Sequence, residues 1–191
     1  MKIRQLTPEY YAKASALLRQ AFPGSTYEVQ LVENFHTRGR AVHEWACIHI
    51  NSVIAYIAFS NAYNGTAVCG LHLAPLAVKP EFQGQGIGSE LLRFALRQEV
   101  IRDSTIFVLG DPVWYGRFGF EPCSMPTCPF ASKNAHFLSI RNNTASRFTV
   151  GYEPEFAMRM MTGQKRKPAK TKSRGTTTPR TRAAGKKAGE R

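Results

Sequence analysis

The chain has 191 residues, 43% of them hydrophobic, and a formal net charge of +13. That length fits one domain with a packed core. No run approaches the roughly 18 apolar residues of a membrane-spanning helix, and the N-terminal "MKIRQLTPEYY" lacks the apolar stretch of a signal peptide, so a cytoplasmic protein without membrane insertion is expected.

"KIRQL" (2–6) alternates and predicts a first strand. Thr7 before Pro8 and Glu9 predicts a helix start, with a hydroxyl N-cap and proline at the first helical position. Tyr11, Ala14, Leu17, Leu18 and Phe22 follow at helical spacing until Pro23-Gly24. A second helix fits Tyr27 to His36. Strands are expected over 41–50, 53–63 and 67–78, with turns at Asn51-Ser52 and Asn64-Gly65. Pro75 implies an edge or a bulge in the last of these, since proline cannot donate to a ladder. An amphipathic helix follows, its apolar face carrying Ile87, Leu91, Leu92, Ala95 and Leu96. "TIFVLG" (105–110) is a short buried strand, and "DPVWYGRFGF" (111–120) reads as a turn, a short helix and a return to strand. "CSMPTCPF" is loop, while "FLSIR" and "FAMRMM" are candidate late strands.

Between Val78 and Ile87 stands "KPEFQGQG", and Gly84, Gly86 and Gly88 alternate into the helix. The first turn of a helix has unpaired N–H groups at the positive end of its dipole, and glycines let those groups approach a ligand. The stretch therefore reads as a phosphate cradle or as a tight strand-to-helix turn. It is not a P-loop, because no lysine follows Gly88. It is not a dinucleotide fingerprint, because Ser89 stands where the third glycine belongs.

The pattern that fits is Q-x-x-G-x-G, at Gln83, Gly86 and Gly88. "LAVKPEFQGQGIGSELL" resembles the acetyl-coenzyme-A motif of the GNAT N-acetyltransferase superfamily, and "LGDPVWYGRFGF" resembles its next motif, Y-x-x-x-G-F after a short apolar strand. The pair is similar to a bacterial branch of predicted N-acetyltransferases, over about residues 71–120. The resemblance implies an α/β (α+β) GNAT fold: a mixed, mostly antiparallel sheet, splayed at the cofactor site, with helices on both faces. It implies a domain over 1–161.

The resemblance also implies acetyl-coenzyme A as cosubstrate, no metal, and direct acetyl transfer to an amine of a small molecule, protein or peptide. Pantetheine would pair with the backbone of Leu76 and Val78. Pyrophosphate would lie on the N–H groups of Gly84, Gln85, Gly86, Gly88 and Ser89, beside Gln83. Tyr115 holds the position of the proton donor to the leaving thiolate, or else is a core aromatic beside Trp114, Phe118 and Phe120. His72 holds a position where many relatives carry a glutamate base. It is a base here or a strand histidine facing solvent; Glu44 and water are the other candidates. Deprotonating a lysine-type amine at pH 7 costs about 4.6 kcal/mol against about 1 for an α-amino group, so a base matters most for lysine-type acceptors. Asp111 and Pro112 read as a helix cap. Arg117 reads as a solvated charge or a phosphate contact.

Cys123, Cys128 and His136 are spaced too loosely for a zinc site, and all four cysteines read as reduced thiols. Residues 1–161 carry 15 Lys+Arg against 12 Asp+Glu, and residues 162–191 carry 11 against 1. The latter stretch lacks Leu, Ile, Val, Phe, Tyr and Trp, which predicts a disordered basic tail. Such a tail suits sequence-independent nucleic-acid contact by counterion release, or a solubilising role. Two alternatives to catalysis stand beside the enzyme: a nucleic-acid-associated protein using the tail, and a non-catalytic acyl-coenzyme-A sensor.

Overall fold

A computed structural model describes residues 1–131 and 134–157. The predicted tail and the end of the predicted domain lie outside the described residues. The chain begins with β1 (Lys2–Gln5), α1 (Tyr11–Ala21) and α2 (Tyr27–Thr37). Three long antiparallel strands follow: β2 (Val42–His49), β3 (Ser52–Asn64) and β4 (Ala67–Val78). Then come α3 (Ile87–Leu96), α4 (Glu99–Arg102), β5 (Ile106–Leu109), α5 (Pro112–Gly116), β6 (Glu121–Pro122), β7 (Phe137–Ile140) and β8 (Gly151–Tyr152). The strands form one sheet in the order β1-β2-β3-β4-β5-β7-β6, and β8 pairs with β3.

Alternation along the strands sorts side chains to two faces. Trp45, Ile57, Phe59 and Leu73 meet Ile87, Leu91, Leu92 and Ala95 of α3. Burying Ile87, Leu91 and Leu92 stabilises the fold by about 1.5–3 kcal/mol each. On the opposite face Ala46, Tyr56, Ala58 and Ala77 meet Leu17, Leu18, Val29 and Val32 of α1 and α2.

The sheet parts at one place. β4 pairs with β3 nearly throughout, but its parallel pairing with β5 is confined to Leu71↔Ile106 and His72↔Phe107. β5 continues instead against β7, through Val108↔Leu138 and Leu109↔Phe137. From Leu73 onward the β5-facing edge of β4 is therefore outside the ladder. Pro75 lies in the bulge its residue type implies: Ile57 faces Leu76 and Phe59 faces Leu73, leaving Ala74 and Pro75 opposite Ala58.

Several local expectations shift. Thr7 makes no capping bond; Pro8 opens a separate 3-10 turn, Pro8–Tyr10, ahead of α1. The first hairpin turn is Ile50-Asn51, both at positive φ, because His49 pairs with Ser52. The second is Gly65-Thr66, because Asn64 still pairs with Ala67. "FAMRMM" does not begin as a strand. Phe156 and Ala157 lie in a 3-10 turn, Pro154–Ala157, and the rest lies outside the described residues. Among the described residues no helix is long and apolar enough to cross a membrane.

Candidate active site

The parted strands leave a gap whose floor on one side is the backbone of β4. Lys79 N–H donates to Ile54 C=O on β3 at 2.8 Å. Strand alternation then turns the N–H groups of Val78 and Leu76 the other way, into the gap. Gln83 reaches back across this edge, its side-chain amide donating to Val78 C=O at 2.9 Å. Gln83 thus closes off the strand's last acceptor and leaves its donors to a ligand.

The chain then enters α3 through Gly84 and Gly86, at φ +75° and +83°. Those left-handed values explain both glycines. Gly86 is the N-cap and no side chain caps the helix; the first intrahelical bond runs from Glu90 N–H to Gly86 C=O at 2.9 Å. The N–H groups of Gly88 and Ser89 therefore lie in the uncapped first turn, at the positive end of the helix dipole. The Gln85 side chain folds back to Glu81 C=O at 3.0 Å. Gly88 has a steric reason of its own: a Cβ there would stand 3.1 Å from Val78 Cγ2.

Across the gap, Asp111 caps α5 by accepting from Val113 N–H at 2.9 Å, with Pro112 at the first helical position. This sets the Tyr115 ring against Gly110, where any Cβ would collide with it. The ring also meets Trp114 edge-on at 4.7 Å and Phe120 at 5.5 Å. Gly110 is a site residue that sequence reasoning passed over; its signal was a glycine directly after a buried strand and five residues before the candidate acid. Arg117 is exposed and lies over the rings of Trp114 and Phe118, at 5.5 and 5.7 Å.

His72 does not face solvent. It is buried at the start of the gap, edge-on to Tyr152 at 4.4 Å and to Phe156 at 4.9 Å. Burial pushes its pKa down to about 3. Its Nδ1 has no partner, nor has Oγ of Ser60, its cross-strand neighbour on the same face. A neutral ring with so acidic a conjugate acid is a poor acceptor for an ammonium proton, which weighs against the base role.

Glu44 stands on β2, two strands from β4 and so roughly 10 Å away. Its carboxylate already accepts from Tyr56 O–H and meets His36 Nε2 at 2.9 Å. Tyr11 stacks on that imidazole at 3.6 Å. Glu44, His36 and Tyr11 line a cavity of about 270 Å³ with Gln5, Leu6 and Arg40.

The residues over His72 come from the end of the described chain. β8 pairs with Ala62 and Tyr63 beyond the end of β2. Glu153 accepts from Tyr63 O–H at 2.7 Å and pairs with Arg40 at 3.5 Å. Glu155 pairs with Arg40 at 3.0 Å and Arg38 at 3.5 Å. Phe156 then inserts among Leu31, Phe35 and Ala74. The cysteines are free thiols, and among the described residues no group of three or more His, Cys, Asp or Glu could hold a metal ion.

The family model of the GNAT acetyltransferase domain matches residues 41–122, which span the three long strands, the glycine loop and α5. The uncharacterized N-acetyltransferase YhbS of Escherichia coli is 34% identical over 124 residues, 63% of this chain and 74% of that protein. The uncharacterized N-acetyltransferase YjhQ of Escherichia coli is 49% identical over 53 residues, 29% of its own length. A crystal structure of YhbS in complex with coenzyme A superposes with a TM-score of 0.74 at 26% identity, covering 81% of this chain and 91% of that one. A Brucella melitensis GNAT acetyltransferase in complex with acetyl-coenzyme A gives 0.68 at 26%, covering 81% and 97%. By the family model's match and by 34% identity over 74% of YhbS, the chain belongs to the GNAT family of N-acetyltransferases.

Proposed function

We propose that this protein, an acetyl-coenzyme-A-dependent N-acetyltransferase, binds its cosubstrate along the free edge of β4 and the N-terminus of α3, and that Tyr115 protonates the departing sulfur. One observation carries the reading. The gap-facing donors of Leu76 and Val78 lead directly into an uncapped helix N-terminus, through two glycines at positive φ. That is a continuous track of backbone donors with an anion site at its end.

Acetyl-coenzyme A supplies an activated thioester. The chain supplies position and protons. Leu76 and Val78 N–H groups hold an amide-bearing arm in the gap. The N–H groups of Gly84, Gln85, Gly86, Gly88 and Ser89 receive the pyrophosphate, and Gln83 keeps the strand edge in shape. A phenol O–H is a hydrogen-bond donor, which suits Tyr115 to the departing sulfur. Its ring is fixed by Gly110, Trp114 and Phe120. His72 forms a neutral wall at the start of the gap, and the acceptor amine sheds its proton to water.

The test is isothermal titration of acetyl-coenzyme A, coenzyme A and desulfo-coenzyme A into the full chain and into Gly86→Glu, with a thermal melt of each. A glutamate there sets negative charge at the anion site. Micromolar binding by the wild type, weakened at least about 100-fold (about 2.7 kcal/mol) in a variant that still melts cooperatively, is expected. A folded wild type that binds none of the three sinks the reading.

A further inference from the structure

We propose that the acceptor is a weakly basic aromatic amine, uncharged at pH 7, whose ring lies against an aromatic wall made by Tyr27, Phe130, Tyr152 and Phe156. This rests on the acetyltransferase reading above and names a substrate class for that site. Contacts tie the wall to the gap. Ala74, in the bulge of β4 where the gap opens, packs in one apolar group with Phe35 and Phe156, and Tyr27, Phe130 and Tyr152 pack against the same group. His72, the last residue of β4 paired with β5, meets Tyr152 at 4.4 Å and Phe156 at 4.9 Å. Phe130 in turn meets Tyr152 at 4.9 Å. Tyr27, Ala74, Phe130 and Tyr152 are only partly buried, so some of this apolar surface is open to a ligand.

The proton chemistry of this wall selects the amine. A lysine-type ammonium must lose a proton before it attacks, at a cost of about 4.6 kcal/mol at pH 7. The groups that could take that proton are unsuited or engaged. Burial pushes the His72 pKa down to about 3. Glu44, two strands from β4, accepts from Tyr56 O–H and meets His36. Glu153 and Glu155 are buried against Arg40. An aromatic amine needs none of them. Its lone pair is delocalised into the ring, and the nitrogen is unprotonated at pH 7. Its N–H groups suit what the site does offer: Nδ1 of His72 and Oγ of Ser60, both buried and both without a partner, can accept them. A charged ammonium would instead give up its hydration beside a neutral ring.

In the reaction the neutral nitrogen bonds the acetyl carbon as the carbon–sulfur bond breaks. Tyr115 gives its proton to sulfur, one N–H proton leaves to water, and water restores the phenol. The products are an N-aryl acetamide and coenzyme A. No proton has to be removed before attack. That suits a gap with a phenol on one side and a neutral aromatic wall on the other.

The test measures protein-dependent initial rates of the full chain with acetyl-coenzyme A and aniline, benzylamine or cyclohexylamine, between about pH 6 and about pH 10. Calorimetry with acetyl-coenzyme A runs in parallel. Aniline joins an aromatic ring to an uncharged amine, benzylamine joins the same ring to a charged one, and cyclohexylamine has neither feature. At pH 7, kcat/KM for aniline should exceed that for the other two by at least about 100-fold, and benzylamine should gain on aniline as pH rises. Phe130→Leu, which removes a ring and keeps apolar bulk, should raise KM for aniline about 10-fold and leave acetyl-coenzyme-A Kd unchanged. Benzylamine or cyclohexylamine turned over at pH 7 as fast as aniline overturns the proposal, since a base then serves the site. So does an unchanged KM in Phe130→Leu, or binding of acetyl-coenzyme A with no acetylation of aniline. Each of these leaves the acetyltransferase reading standing. A folded chain that does not bind acetyl-coenzyme A takes down both.

Discussion

On the α3 side of the gap the candidate parts are mostly backbone, with the Gln83 and Tyr115 side chains, all from one stretch running from Leu76 to Tyr115. On the other side they are side chains: Ser60 and His72 on adjacent strands, Arg38 and Arg40 after α2, Tyr152 to Phe156 at the end. Arg40 and Glu155 are 115 positions apart and meet at 3.0 Å. The first side is bare, with nothing within 4 Å of where a Cβ would stand on Gly84 or Gly86. The second is filled, with two carboxylates buried against arginines and an aromatic cover over His72. If, as proposed, the first side receives the cosubstrate by its amides, it needs absent side chains. A side that shapes access for an acceptor needs present ones.

Substitutions can separate the two sides. The largest expected effect is on turnover at the α3 side. Tyr115→Phe should lower kcat by about 10²–10⁴-fold with acetyl-coenzyme-A Kd unchanged. Gly110→Ala should reproduce part of that loss by pushing the ring aside. An unchanged kcat in steady-state assays of Tyr115→Phe would make the tyrosine a packing residue. Next, on the filled side, Phe156→Ala should cost about 3–5 kcal/mol in urea unfolding, because Phe156 is buried against Phe35 and His72. A cost below about 1 kcal/mol would mean that the cover is loose.

His72 yields a smaller effect that depends on pH. Its pKa in the folded chain, about 3, lies below the ordinary 6.5. Between those values the unfolded chain binds a proton that the folded chain does not. This contribution to stability is therefore complete above about pH 6.5 and is lost as pH falls toward 3. By pH 4.5 the loss is about 2–3 kcal/mol. His72→Leu should flatten this acid limb in denaturant titrations at several pH values. The kcat profile should show no wild-type step near 6.5 that disappears in the variant; such a step would restore His72 as the base. The smallest effect is local. Arg40→Ala should lower Tm slightly and speed hydrogen exchange over 151–157, leaving exchange in 84–90 unchanged. Equal acceleration in both segments would mean that the two sides are coupled.

The same contrast explains what could be read from the residues alone. Gly84, Gly86, Gly88, Asp111 and Tyr115 are legible because each answers a local demand: a positive φ, a close approach, a cap, a ring position in a contiguous motif. The bulge at Pro75 is legible for the same reason. The two hairpin turns were displaced by one residue each, because ladder register, set by the pairs on either side, outranks the turn propensity of Asn51-Ser52 and Asn64-Gly65. The cover over His72 left little trace. β8 has two residues, and its neighbours become meaningful only against Tyr63 and Arg40. Burial of His72 was equally hidden, since an alternating strand does not announce which face a late segment will cover.

The pairing of β8 with β3 also bears on the order in which the molecule can be made. A chain leaves the ribosome N-terminus first. Strands β1 to β5, the glycine loop and α5 have all emerged once residue 120 is out. The segment that buries His72 and clamps Arg40 follows more than thirty residues later. Contacts of such sequence separation are slow to close. A nascent chain thus holds the glycine loop and the β4 edge before the cover over His72 exists, and a ligand at that loop would steady the unfinished sheet while the last strands arrive.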